Sequence, residues 1–187
     1  MRKIIVNTEL TIDGVMEAPH TWPQFKSPDV DDFIQAGMSA DDGAMLFGRM
    51  TYEMFASFWP SQTNYIGQYM NRRTKYVVSS TLEEPAWQNT TVLRGDMAAN
   101  VQAVKEEPGG DIVVLGSGAL IGSLMQADLV DEYRLWLHPL VRGGGQRLFP
   151  DGFSREFGLV STHAFRGGIV LLVYRPAERP ERDIQTV

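Results

Sequence analysis

No cysteine occurs among the 187 residues. That excludes a disulfide framework and any thiolate metal site. Histidine is scarce as well: His20, His138 and His163 stand far apart, none at the spacing of a metal ligand, and no metal is expected. A basic run is missing. Lys and Arg number 17 against 23 Asp and Glu, for a net charge of −6, which argues against a nucleic-acid surface and leaves room only for a local basic pocket. Long apolar runs are missing too; the longest fall far short of the ~20 residues a membrane helix needs. The opening MRKIIVNTEL begins directly on strand-like residues, without the longer apolar stretch of a secretory leader, so a soluble cytoplasmic protein is expected. Neither G-x-S-x-G nor G-x-x-x-x-G-K-[ST] is present, which argues against the common hydrolases and P-loop NTPases. No internal repeat or low-complexity segment appears.

What is present is an alternation. Lys3–Leu10 is apolar and β-branched and breaks at Asp13-Gly14, as a strand meeting a turn does. Val15 to Lys26, with Trp22 and Phe25, is too long and too aromatic for a plain connector and is a candidate site wall. Ser27-Pro28 has the chemistry of an N-cap and first helical residue, followed by Val30, Phe33, Ile34 and Met38 at helical spacing, with Gly37 expected to help end the helix. Strands are expected at Ala44–Phe47, Lys75–Ser79, Thr91–Leu93 and Ile112–Leu115. Helices are expected at Arg49–Phe58, Met97–Glu107 and Ala119–Gln126. The alternation predicts an α/β fold with a largely parallel sheet. Glu132–His138, and a hairpin of Phe157–Ala164 with Ile169–Tyr174 around Arg166-Gly167-Gly168, add antiparallel strands at the end. One domain over 1–176 and a frayed polar tail over 177–187 are expected.

Twice an apolar strand runs into glycine and then straight into a helix: AMLFGRMTYEMF at Ala44–Phe55 and DIVVLGSGALIGSLM at Asp111–Met125. Such junctions aim backbone N–H groups and a helix N-terminus past a buried strand end, where phosphate binds. The second is not a Rossmann fingerprint. Its third glycine falls one residue late, and Trp136 stands where an acid belongs about twenty residues on. Each feature has a plain structural reading beside the functional one: a tight turn for Gly116–Gly118, a surface arginine for Arg49, and a turn cap for Ser79-Ser80. For acid–base chemistry the candidates are Asp13, Asp29 and Asp32. Charge at a helix N-terminus accounts equally for the latter two.

In this order the stretches VNTELTIDGV, MLFGRMTYE, KYVVSST and DIVVLGSGALIGSLMQADLVDEYRLWLHPLVRGGGQRLF, with the closing strands, resemble the dihydrofolate-reductase-like superfamily. The nearest resemblance is to the reductase family found as the C-terminal domain of the bifunctional riboflavin-biosynthesis deaminase–reductase. The resemblance implies a mixed, mostly parallel sheet flanked by helices. It also implies an NADPH site, hydride transfer to a pyrimidine- or pterin-like ring, and a homodimer. It places cofactor phosphates at Gly48, Arg49 and Thr51, the adenosine ribose phosphate near Ser79 and Ser80, and the pyrophosphate on Gly116, Ser117, Gly118 and Ala119. Asp13 and Gly14 fall in the loop closing over the nicotinamide. Ala119 stands where many dihydrofolate reductases have arginine, so selectivity for the 2′-phosphate rests on Arg49 and the serines. The first-helix carboxylate falls at Asp29 or Asp32. Glu9, Trp22, Phe25 and Phe33 are candidates for the substrate wall. The activity implied is that of a stand-alone reductase most like 5-amino-6-(5-phosphoribosylamino)uracil reductase; the cysteine-dependent zinc site of the deaminase partner is absent. The alternatives are dihydrofolate reductase proper and a non-catalytic nucleotide- or pterin-binding module.

Overall fold

Short apolar and β-branched runs mark nearly every expected strand, and in the computed structural model all eight strands join one sheet. The structure describes every residue except Lys26, Asp41, Asp42 and 178–187, so most of the expected tail lies outside it. In chain order the elements are β1 (Ile4–Thr11), α1 (Pro28–Ala40), β2 (Ala44–Gly48), α2 (Arg49–Phe58), α3 (Tyr65–Arg72), β3 (Lys75–Val78), β4 (Thr90–Leu93), α4 (Met97–Glu106), β5 (Ile112–Leu115), α5 (Gly118–Gln126), β6 (Glu132–His138), β7 (Phe157–Ala164) and β8 (Val170–Pro176). Two short 3-10 turns add Pro19–Thr21 and Trp59–Ser61.

The strand order is β4-β3-β2-β5-β1-β6-β8-β7. All neighbours from β4 to β6 are parallel; β8 runs antiparallel to both β6 and β7. The mixed sheet with antiparallel closing strands is therefore as expected. Helix α1 runs three residues past Gly37, which does not end it. Helix α3 was not anticipated. Its start is capped by Asn64, whose side chain accepts from the Gly67 N–H at 2.8 Å. Gly67 is required there, because a Cβ would run into the Gln62 carbonyl.

Successive side chains of each strand face opposite sides, so each face builds its own core. On one face Ile4, Val6, Leu46, Ile112 and Val114 pack against Val101 and Val104 of α4 and Ile121 and Leu124 of α5. Burying each such side chain contributes roughly 1.5–3 kcal/mol. The opposite face carries two separate clusters. Met45, Phe47 and Val77 pack with Tyr52 of α2 and Tyr69 and Met70 of α3. Val30 of α1 packs with Phe165, Ile169 and Leu171. Between those clusters run β1 and β5. No helix among the described residues is long and apolar enough to cross a membrane.

Candidate functional site

The two strand–glycine–helix junctions lie side by side, because β2 and β5 are paired neighbours. Their helices leave on opposite faces: α2 joins the cluster of Met45 and Phe47, and α5 that of Leu46 and Val114. Adjacent parallel strands whose connections depart to opposite faces open a crevice at their carboxyl ends, where ligands of open α/β sheets bind. The junctions are also tied to each other. The Gly48 N–H donates to Ser117 Oγ at 3.0 Å, and the Ser117 N–H donates to Thr51 Oγ1 at 3.0 Å. Gly116 (φ +58°) and Ser117 (φ +60°) are both left-handed, which swings the chain into α5. A Cβ on Gly116 would lie 3.3 Å from Thr51 Cγ2, and one on Gly118 would run into the Gln146 side-chain amide. Ser117 accepts the first intrahelical bond, from Ile121. The N–H groups of Gly118, Ala119 and Leu120 thus form the first turn, which has no intrahelical acceptor.

Beside the crevice, a recess of about 390 Å³ opens at the ends of β3 and β4, lined by Val78, Ser79, Ser80, Thr81, Leu93 and Gly95, with Arg49 reaching in from the start of α2. Arg49 Nη1 donates to Thr81 Oγ1 at 2.6 Å, and its Nε lies 3.5 Å from Glu53. Ser79 is nearly buried, and its hydroxyl accepts from the Thr81 and Leu82 N–H groups, shaping the turn. Ser80 is exposed, and its carbonyl accepts from the Arg94 guanidinium.

The gap between the two apolar clusters exposes a second surface. Parallel register sets Glu9 opposite Trp136 and Thr11 opposite His138. Trp136 Nε1 donates to Asn7 Oδ1 at 2.8 Å, and His138 Nε2 lies 2.9 Å from Glu9 Oε2. Trp22 and Phe25, from the long aromatic loop, meet the His138 ring edge-on at centroid distances of 5.4 and 6.0 Å. Phe33 of α1, 39% exposed, lies against Trp136, His163 and Phe165. Glu9, Trp22, Phe25 and Phe33 therefore gather on one side of the β1–β6 pair. Trp22 is a buried prop there rather than an exposed wall.

The three aspartates do not gather. Asp13 clasps a glycine-rich loop at Arg142–Gly145: its carboxylate accepts from the Arg142 N–H at 3.2 Å and the Gly143 N–H at 2.8 Å. The Thr11 hydroxyl, at 2.5 Å, contributes most to holding its pKa down at about 2, with those two amides adding to it. An acid that weak in proton affinity is a carboxylate near neutrality and a poor proton donor. Asp29 accepts from the Arg166 N–H at 3.0 Å, and the Ser27 hydroxyl first, then that amide, lower its pKa. It ties α1 to the hairpin turn, where a Cβ on Gly167 would run into the Phe25 carbonyl. Asp32 is exposed.

The family model of the RibD C-terminal domain matches residues 2–171. The chain belongs to that family. Two relatives come from Bacillus subtilis (strain 168). The uncharacterized protein YyaP is 29% identical over 179 residues, covering 92% of this chain and 94% of its own. The uncharacterized protein YwjB is 23% identical over 152 residues, covering 79% and 83%. Among solved structures, a putative riboflavin biosynthesis protein from Shewanella sp. PV-4 superposes with a TM-score of 0.71 at 21% identity, over 94% of this chain and 99% of that one. A pyrimidine reductase-like protein from Corynebacterium diphtheriae superposes with a TM-score of 0.68 at 11% identity, over 95% and 93%. Both share the fold. The RibD C-terminal family is one of reductases that use a nicotinamide cofactor and a small-molecule substrate.

The residues present fit a dinucleotide of that class. The first turn of α5 leaves the N–H groups of Gly118, Ala119 and Leu120 without intrahelical acceptors, with the Gln146 amide packed on Gly118, and Arg49 opens onto a recess beside it. Sequence reasoning did not single out four residues that the structure places on these candidate surfaces. His138 had no metal-like spacing to mark it, and Asn7 and Arg94 carry no motif. Gln146 is brought onto Gly118 by its loop, where the Met16 N–H donates to the Gln146 carbonyl and the Gln146 N–H donates to the Glu17 carboxylate.

Proposed function

We propose that the protein is an NADPH-dependent reductase of a pyrimidine- or pterin-like heterocycle, most like 5-amino-6-(5-phosphoribosylamino)uracil reductase, acting in the cytoplasm as a homodimer. One observation carries the reading: the crevice between β2 and β5, at which two helix N-termini and an arginine-lined recess converge. Gly116, Ser117, Gly118 and Ala119 hold the pyrophosphate through the first turn of α5, where the helix dipole favours negative charge. Gly48 and Thr51 brace that turn by their bonds to Ser117. Arg49, with Ser79 and Ser80 beside it, takes the 2′-phosphate, which a guanidinium binds by paired N–H groups. Asp13 and Gly14 fix the loop next to the cofactor; the Gly14 carbonyl accepts from Leu148 at 3.1 Å. Phe33 and Trp136 offer flat apolar surface to a ring, with Phe25 behind them and Glu9 as the polar anchor. The nicotinamide, when bound, supplies the hydride. The chain supplies orientation and exclusion of water. Asp32 of α1 is open to solvent and is the candidate for proton relay.

Titration with NADPH and NADH, read by quenching of the four tryptophans, tests this. Saturable binding of NADPH is expected, with Arg49→Ala weakening NADPH about tenfold and NADH little, as loss of a charge-assisted phosphate contact requires. No saturable binding, or equal loss for both nucleotides, sinks the assignment. Dihydrofolate reductase proper relies on a first-helix carboxylate, and Asp29 is already engaged with Arg166.

A further inference from the structure

His138 is held in a way that packing alone does not explain. It is 9% exposed, its ring lies between Trp22 and Phe25, and its Nδ1 is buried with no hydrogen-bond partner among the described residues. Its Nε2 faces Glu9 Oε2 at 2.9 Å. A nitrogen that faces a carboxylate carries the proton, so the neutral ring is the Nε2–H tautomer and Nδ1 is a bare lone pair. The opposite tautomer would bury an N–H with no acceptor and leave two acceptors facing each other. Among the described residues the imidazole therefore has one polar partner, Glu9. A phenylalanine would fill the same aromatic slot without an orphaned nitrogen. Departures of this kind from well-satisfied packing concentrate at functional sites.

Glu9 itself is solvated, with a side chain 52% exposed, and a solvated glutamate needs no buried donor to stabilise it. What the imidazole does is fix where the carboxylate points. Glu9 stands opposite Trp136 in the β1–β6 register, on the strip of sheet between the two apolar clusters. A fixed carboxylate beside the half-buried Trp136, which stacks on Phe165, and the exposed ring of Phe33 is complementary to a flat heterocycle with N–H donors on its edge.

We propose that Glu9 accepts the N–H edge of an amino-substituted azine ring, and that His138 is the positioning residue that aims its carboxylate. The proposal deepens the reductase reading by giving its substrate a donor edge and a recognition residue on β1 rather than on α1. The aspartates of α1 are otherwise placed, Asp29 on the Arg166 amide and Asp31 and Asp32 in solvent.

The test uses the whole chain and 2,4-diaminopyrimidine as probe, followed by calorimetry and by ¹⁵N shifts of labelled histidine. The wild type is expected to show His138 as the Nε2–H tautomer and to bind the probe. Glu9→Gln should weaken binding about tenfold or more, as loss of a charged acceptor does. His138→Phe keeps the ring and removes the donor, and should weaken binding about three- to tenfold. His138→Gln restores a donor at similar reach and should bind within about twofold of wild type. A purely structural His138 would let the phenylalanine variant bind normally and the glutamine variant fare worse. An Nδ1–H tautomer, probe binding indifferent to Glu9→Gln, or no binding to the wild type at millimolar probe overturns the proposal. NADPH titration separates the two readings. If NADPH binds and the Glu9 results fail, the inference falls alone. If NADPH does not bind, the reductase reading falls, while the tautomer and probe results still decide Glu9 and His138.

Discussion

Gly116 is the residue at which two independent constraints meet. Its φ of +58° is a conformation L side chains enter at a cost, and a Cβ there would press on Thr51 at 3.3 Å. Gly116→Ala should therefore lose about 1–2 kcal/mol of unfolding free energy in urea and weaken nicotinamide-nucleotide binding with it. Gly48→Ala is the matched control. Its φ is −80° and the nearest atoms to a Cβ lie at 3.7–3.8 Å, so only the N-cap preference is lost, about 0.5 kcal/mol. Equal losses at the two glycines would contradict this account. Asp13 makes a different residue-level case. Its folded pKa of about 2 lies below the ordinary 3.8, so its clasp contributes stability that is fully present above about pH 4 and fades as pH falls toward 2. Asp13→Asn should accordingly be less stable than wild type at pH 6, with the gap narrowing toward pH 2 in thermal melts. A gap that widens on acidification would show the opposite sign.

At the scale of elements, the pair of junctions behaves as one unit. Ser117, at the start of α5, both accepts from and donates to the start of α2, so the two helices are set relative to each other by two hydrogen bonds through a single residue. Thr51→Val removes the acceptor while keeping the shape and should cost about 1–2 kcal/mol, because the Ser117 N–H is left unpaired. Ser117→Ala frees the Gly48 N–H at similar cost. The double variant should lose clearly less than the sum, since neighbouring bonds in one network do not act independently. Strict additivity in urea denaturation would mean the junctions are separate. That coupling was not legible in the sequence, where Gly48 and Ser117 lie 69 residues apart. The junctions themselves were legible, because strand, glycine and helix signals are local. For the same reason α2 and the eight strands emerged nearly at their observed bounds. Helix α3 did not, because YIGQYMNR has a central glycine and its stability comes from Tyr69 and Met70 packing on β2 and β3. Of the candidate site, the two strand–glycine–helix junctions and Arg49 were readable as motifs. His138 was not, since only the β1–β6 register brings it to Glu9.

Across the whole molecule the sheet separates two jobs. The proposed cofactor recess lies at the β3–β4 end and the β8–β7 hairpin closes the other. Among the described residues strand β7 pairs on one side only, is exposed along most of its length, and shows apolar Leu159 and Val160 to solvent. An unpaired strand edge is a pairing surface unless blunted, and the register shift between Leu159 and Ser161 bends this one without charging it. A homodimer, if formed here, would cover those two side chains. Sedimentation should then show a dimer for the wild type, and Leu159→Lys with Val160→Lys should raise its dissociation constant about tenfold or more, since a dimer across β7 would bury both lysines and set like charges against each other. NADPH binding should be unchanged in that variant, because the recess lies at the far edge of the sheet. A wild-type monomer ends the dimer proposal. A dimer indifferent to the lysines moves it to another face.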